Sequence, residues 1–165
     1  MRRVFPPASR GVTLIEMMIT IAIGVILALM ALPMYSTWIA SQQVRTAAES
    51  VYEGIRVAQT EAVRRNTPVS FVLDTSTGWQ VQLVSDSSVI REGKLIEGSP
   101  KVSLAVTPAG TKTVIFDGLG RALDDAQAPL AARITIDVEA TTSFDNVRPQ
   151  RVVLDTAAAT GVGIR

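Results

Sequence analysis

The stretch Gly11-Val12-Thr13-Leu14-Ile15-Glu16-Met17 leads into 28 residues, Met17 to Val44, that carry no charge at all. About 20 apolar residues suffice to cross a bilayer as a helix, so this run is long enough to span one. Glu16 stands at its edge. An ionised acid drawn unpaired into hydrocarbon is costly, so an acid in this place normally has a partner and a purpose. The plain alternative is a signal anchor whose flanking acid rests among the headgroups.

Outward from that stretch, Arg2, Arg3 and Arg10 precede the apolar run and no base lies within it. This asymmetry predicts a cytoplasmic N-terminus and an exported remainder. Tyr35 and Trp38 fall near the outer end, where aromatic rings favour the interface, although packing in a helix bundle accounts for them equally well. A cleaved secretory signal fits poorly. The apolar stretch exceeds the usual signal core, and no small-x-small cleavage site follows it.

Of the 165 residues, about 120 remain beyond the N-terminal segment and the span, enough for one small domain with a core of its own. The chain has no Cys and no His. The first removes disulfide staples despite an export route that permits them. The second removes the commonest general base, metal ligand and triad member together. No catalytic residue, metal site or cofactor is expected. Without Arg2, Arg3 and Arg10 the chain holds 13 basic and 15 acidic residues, so no whole-surface attraction to nucleic acid is expected either.

The helical pattern continues past the span. Val44, Ala47, Ala48, Val51, Ile55, Ala58 and Ala62 recur at three- and four-residue spacing and predict one apolar face. Glu61 and Arg65 have the favourable i,i+4 order, and Asn66 followed by Pro68 reads as a stop. The expected helix runs from Val12 to Arg65, roughly 80 Å at 1.5 Å per residue, with Pro33 breaking its hydrogen bonding.

From Val69 the period changes to two. Val69–Leu73 and Trp79–Val84 read as a hairpin, the second with Trp79, Val81 and Leu83 on one face and Gln80 and Gln82 on the other. Val102–Val106, Thr113–Phe116, Ile134–Val138 and Arg151–Leu154 follow, with Val89–Ile96 a weaker candidate. Gly118, Gly120 and the stretch Leu123 to Pro129 read as punctuation. The fold class is therefore α+β: a long N-terminal helix, its first half transmembrane, packed on a small antiparallel β-sheet or sandwich domain.

Gly-Val-Thr-Leu-Ile-Glu resembles the processing site of type IV pilins and of the pseudopilins of type II secretion. In that family a prepilin peptidase cuts after the Gly on the cytoplasmic side and methylates the new amino terminus. The resemblance implies cleavage between Gly11 and Val12, an N-methylated Val12, and Glu16 as the fifth residue of the mature chain. It also implies a helix-kinking proline at Pro33. Valine replaces the phenylalanine usual at the first mature position. The implied division is a leader over 1–11, a transmembrane assembly half of the helix over 12–40, an amphipathic half over 41–66, and a β-rich periplasmic domain over 67–165. The implied site is the inner membrane and then a pilus or pseudopilus, and the implied partners are the peptidase and other pilins or pseudopilins.

A second resemblance lies in Phe116-Asp-Gly-Leu-Gly-Arg-Ala122, followed by a strand, a turn and a C-terminal strand pair, which looks like the FimT/GspH group of minor pilins and pseudopilins. This implies a minor pilin supporting pilus assembly. The alternatives are an H-type minor pseudopilin of type II secretion and a pilus-displayed DNA-binding subunit for natural transformation. Some DNA-binding members carry Gly-Arg-x-Arg in the C-terminal strand region. Here Gly161-Val-Gly-Ile-Arg165 stands at that end, without the first arginine.

For Glu16 the resemblance implies pairing with the amino group of Val12 on a neighbouring subunit, which would neutralise two buried charges and set the register of docking. Arg148, Arg151 and Arg165 are the candidate DNA-binding residues, since arginine suits bidentate phosphate contacts. Against them stand Asp124, Asp125, Asp137, Glu139, Asp145 and Asp155 in the same third of the chain, and mixed solvated surface is the plainer reading. Asp117, Asp124 and Asp125 lack regular calcium-loop spacing. Gly118-Leu-Gly120 lacks the third glycine and the strand-then-helix setting of a dinucleotide loop. Both read as turns.

Overall fold

Thr13 starts the long helix. Its Oγ1 accepts the N–H of Glu16 at 3.3 Å and its carbonyl accepts the N–H of Met17 at 3.2 Å, so a hydroxyl satisfies one of the donors a helix start leaves bare. The computed structural model, which describes residues 11–95, 101–141, 147–155 and 162–164, places helix α1 at Leu14–Arg65. The helix begins two residues later than the apolar pattern alone predicts, because Thr13 acts as its cap.

The other end stops where the sequence says it should. Asn66 takes a positive φ of 50°, the left-handed conformation that asparagine tolerates. Its N–H bonds to the carbonyl of Val63, and that of Thr67 to the carbonyl of Ala62, both at 3.3 Å. This pair of bonds is a Schellman termination. Glu61 gathers both terminal arginines, with Arg64 at 2.6 Å and Arg65 at 2.8 Å.

The chain forms two compact units, Met1–Ser36 and Thr37–Arg165. In the first, every described residue is exposed, including Ile19, Ile23, Ile26, Leu29 and Leu32. By length and composition this part of α1 can cross a membrane. Its few hydroxyls turn inward on the helix itself: Thr20 donates to the carbonyl of Met17 and Ser36 to that of Pro33, each at 2.9 Å. In a bilayer these two hydroxyls would leave no unpaired donor.

In the second unit, the remaining turns of α1 bury the seven apolar residues from Val44 to Ala62 named above, together with Ala40 and Gly54. Among the described residues this unit also holds nine strands, all paired antiparallel. β1 (Val69–Asp74), β2 (Gly78–Leu83), β3 (Val89–Lys94), β5 (Thr113–Phe116) and β6 (Ala122–Leu123) form one sheet in the order β3-β2-β1-β5-β6. β4 (Val102–Thr107), β7 (Ile134–Ala140), β8 (Gln150–Leu154) and β9 (Val162–Ile164) form the other, in the order β4-β7-β8-β9. The expected hairpin is β1–β2, in register Phe71↔Val81 and Leu73↔Trp79. Leu123 to Pro129, read above only as a turn, holds β6 and a bridge between Leu123 and Pro129.

One core joins the helix and both sheets. Val44, Val51 and Ile55 from α1, Phe71, Trp79 and Phe116 from the first sheet, and Ile136, Val138 and Val152 from the second belong to a single buried cluster. The helix contributes mostly Ala and Gly at its contact face, so its backbone lies close to the aromatic rings.

Several carboxylates are tied to the folded state. Hydrogen bonds from Arg64 and Arg65 hold Glu61 down to about 2, against an ordinary value of 4.5. Hydrogen bonds from Ser76 hold Asp74 to about 2 against 3.8. A carboxyl whose pKa is depressed by folding stabilises the protein fully above its unfolded pKa, and that contribution fades as the pH falls toward the folded value. The thermal midpoint of the full chain in detergent is therefore expected to hold above about pH 4.5 and to fall between there and pH 2. A midpoint flat across that window would remove these groups from the account.

Candidate functional site

Three sets of residues singled out in the sequence have defined surroundings. The first is the helix start. Thr13 and Glu16 occupy the N-cap and third helical positions, the spacing of a capping box. The sequence reading missed this second use of Thr13, though threonine three residues before glutamate was its signal. Glu16 is also the acid in the first turn of α1, where the positive end of the helix dipole favours a carboxylate. Val12 and Gly11 immediately precede the cap, and both are exposed. Pro33 lies within α1, which is helical on both sides of it, and its ring removes one backbone donor.

The second is the segment Phe116 to Ala122. Asp117 organises it: one carboxylate oxygen accepts the N–H groups of Leu119 and Arg121 at 2.9 Å each, and the other accepts the Arg121 guanidinium at 2.7 Å. Partial burial pushes this carboxyl up, but the hydrogen bonds from Arg121 and Leu119 outweigh it and leave the group below its ordinary range. Gly120 has φ +78°, and its carbonyl accepts the Gln59 side-chain amide of α1 at 3.0 Å. At Gly118 a Cβ would collide with Asn66 at the helix end. The segment thus docks the β5–β6 turn on the last turns of α1. Asp124 is likewise a turn former, accepting the N–H groups of Ala126 and Ala128 at 2.9 and 2.8 Å.

The third is the arginine group. Arg151 lies on β8, directly opposite Asp137 of β7, and holds its carboxylate at 2.6 and 3.3 Å. Arg133 bonds Asp155 at 2.8 Å, and Arg121 is taken by Asp117 at 2.7 Å. Arg148 is exposed, before β8 begins. Arg165 lies outside the described residues, as do Gly161 and Asp145. The structure therefore gives Arg151 an acidic neighbour across the ladder, while Arg148 is exposed ahead of β8.

A capped, wholly exposed apolar helix start, continuous with a helix that carries an antiparallel β-domain, defines a type IV pilin-like subunit, of the minor pilin or pseudopilin kind. The family profile described as type II transport protein GspH matches residues 47–158, and the chain belongs to that family. The prokaryotic N-terminal methylation motif matches residues 7–32. Pilin and pseudopilin families are structural subunits rather than enzymes.

Among solved structures, the type IV minor pilin FimU of Pseudomonas aeruginosa PAO1 shares the fold in two crystal forms. One gives a TM-score of 0.56 at 16% identity, covering 73% of this chain and 91% of FimU. The other gives 0.55 at 14%, covering 74% and 93%. No curated protein matches the chain significantly.

Proposed function

We propose that this protein is a minor subunit of a type IV pilus, supporting its assembly and function. In this reading a prepilin peptidase removes residues 1–11, cutting between Gly11 and Val12, and Val12 is methylated. The subunit waits in the inner membrane with its N-terminus cytoplasmic and its β-domain periplasmic, then joins other pilins in a filament. Glu16 carries the admission step by pairing with the amino terminus of a neighbour, and Pro33 kinks the helix that enters. The observation that supports this most is the apolar surface of α1 up to Ser36, exposed throughout, with a single acid in its first turn. An apolar surface of that length needs lipid or other helices around it.

A second reading, an H-type minor pseudopilin of type II secretion, draws support from the family description itself. The same helix would serve there. A DNA-capturing role has less behind it, since Asp137 already neutralises Arg151.

The deciding experiment is crosslinking of the tagged full chain in its native membrane, with mass spectrometry of its N-terminal peptide and of the captured subunits. A methylated peptide beginning at Val12, together with pilus subunits, is the expected result. The same peptide with secretion pseudopilins transfers the protein to the second reading. An uncut chain would end both readings and leave a signal-anchored domain.

A further inference from the structure

Beyond Ile39, the large apolar side chains left exposed among the described residues are Val63, Val89 and Leu119. Two of these are neighbours. A Cβ on Gly120, the residue after Leu119, would lie 3.1 Å from Cγ2 of Val63. Leu119 is 73% exposed and Val63 51%. The turn that carries Leu119 is held by the three bonds of Asp117, the positive φ of Gly120 and the Gln59 latch. A leucine fixed outward on such a turn is a preformed knob, because little backbone freedom remains to be lost on contact.

Arginines surround the knob. Arg64 follows Val63, Arg121 follows Gly120, and Arg56 lies about two turns before Val63 on the same side of α1. Arg64 and Arg121 are in ion pairs, yet their side chains are each 61% exposed, while Glu61 and Asp117 are 19% and 16% exposed. The acids thus face inward and the guanidinium groups outward. Arg56 is exposed, and its guanidinium has no partner among the described residues. A complement to this surface stands at the other end of the β5–β6 hairpin. There a cleft of about 510 Å³ opens between the β4–β5 and β6–β7 connections. Its walls are mostly apolar, with Pro108, Ala109, Leu130 and Ala131 among them, and Asp124 and Asp125 also line it. One oxygen of Asp124 is committed to its turn. Asp125 is exposed, and its carboxylate has no partner among the described residues.

We infer that the Leu119 knob of one copy of this chain docks in the cleft of a second copy. Leu119 and Val63 then meet the apolar walls, and Arg56 and Arg121 turn toward Asp124 and Asp125. The two surfaces match twice, apolar against apolar and exposed guanidinium against exposed carboxylate. An apolar centre with arginine at its margin suits a protein interface, whereas a phosphate backbone has no counterpart for Leu119. Because knob and cleft are different surfaces, the contact is heterologous and repeats from copy to copy. It needs no two-fold axis, so α1 of every copy is free to point the same way, as a shared membrane demands. This inference stands apart from the choice between pilus and secretion system.

The chain contains no cysteine, so paired cysteines report the contact directly. Two differently tagged full-length copies, one Leu119→Cys and the other Ala131→Cys, are purified, mixed in detergent and oxidised. The mixed disulfide is expected several-fold above the yield from two Leu119→Cys copies or from two Ala131→Cys copies, because each surface pairs only with the other. Equal yields in the three mixtures, or no disulfide in any, would overturn the inference. Arg56→Glu in the first copy is expected to lower the mixed yield several-fold, and Asp125→Arg in the second to restore it. Both residues are exposed, so circular dichroism spectra are expected to stay unchanged. A yield indifferent to both changes sinks the proposal. Other occupants are tested with a photoreactive side chain at position 119 in the native membrane. Adducts with the chain itself are expected there, and adducts with a different protein alone would assign the knob elsewhere. Retardation of a labelled DNA duplex at low salt, abolished by Arg56→Glu, would likewise overturn the inference by making the arginines phosphate contacts.

Discussion

Glu16→Ala is expected to leave cleavage after Gly11 intact while removing the subunit from assembled filaments. In the proposed pathway the peptidase acts on the sequence around Gly11, upstream of the helix cap at Thr13, and Glu16 would act later, when the helix enters low dielectric among its neighbours. There, loss of one partner leaves the other charge buried alone, a penalty of ~3–5 kcal/mol for a buried pair. Each ~1.4 kcal/mol is a factor of ten in occupancy, so incorporation should fall by at least two orders of magnitude. Glu16→Gln separates pairing from capping, since an amide keeps much of the hydrogen-bonding capacity of the third helical position but carries no charge. Immunoblots of sheared filaments and of membranes measure both steps. Filaments with normal Glu16→Ala content would show that no intermolecular ion pair forms here.

Trp79→Ala is expected to be the most damaging single change in the β-domain. Trp79 is 4% exposed. Its indole N–H bonds the Ser50 hydroxyl of α1 at 3.0 Å, and its ring meets Phe71 with centroids 6.1 Å apart. Removing a buried Trp typically costs ~3–5 kcal/mol, against a total stability of ~5–15 kcal/mol for a domain. Urea unfolding followed by far-ultraviolet circular dichroism should show a large drop in midpoint. The neighbouring Gly54 tests the tightness of the same contact. Alanine is favoured over glycine inside a helix by ~1 kcal/mol. At this site, however, a Cβ would lie 2.6 Å from Trp79 Cδ2 and 2.8 Å from Phe71 Cε2. Overpacking of that kind costs ~1–3 kcal/mol, so Gly54→Ala should destabilise. A neutral or stabilising result would mean that the helix does not lie this close to the rings.

Much of this architecture is legible without coordinates, for definable reasons. The helix is readable because its apolar period, its charge-free run and its Asn66–Pro68 stop all act locally. The six main strands are readable because alternation is a property of each segment alone. What stays hidden depends on registers that segments cannot specify by themselves. Nothing in Ile134–Ala140 or Gln150–Leu154 says that Asp137 and Arg151 will face each other across a ladder, and that pairing changes how the arginine group reads. The division of the described strands between two sheets is of the same kind. β6 and β9, at two and three residues, are too short to show a period. Asp117, weighed in sequence as a metal ligand or a plain turn, proves to be the organiser of a docked turn, because its partners Leu119 and Arg121 come within reach only once Gly120 adopts its positive φ.

The small residues on the inner face of α1 also have a mechanical meaning. Alanine and glycine let the helix sink against both sheets along several turns, from Ala40 to Ala62, with Gln59 latched to Gly120 and Ser50 to Trp79. A pull directed along the axis of α1 loads all these contacts in shear, side by side. They must yield together, whereas a pull across the helix would peel them one after another. The grip of residues 40–62 of α1 on the β-domain is thus strongest along the helix axis.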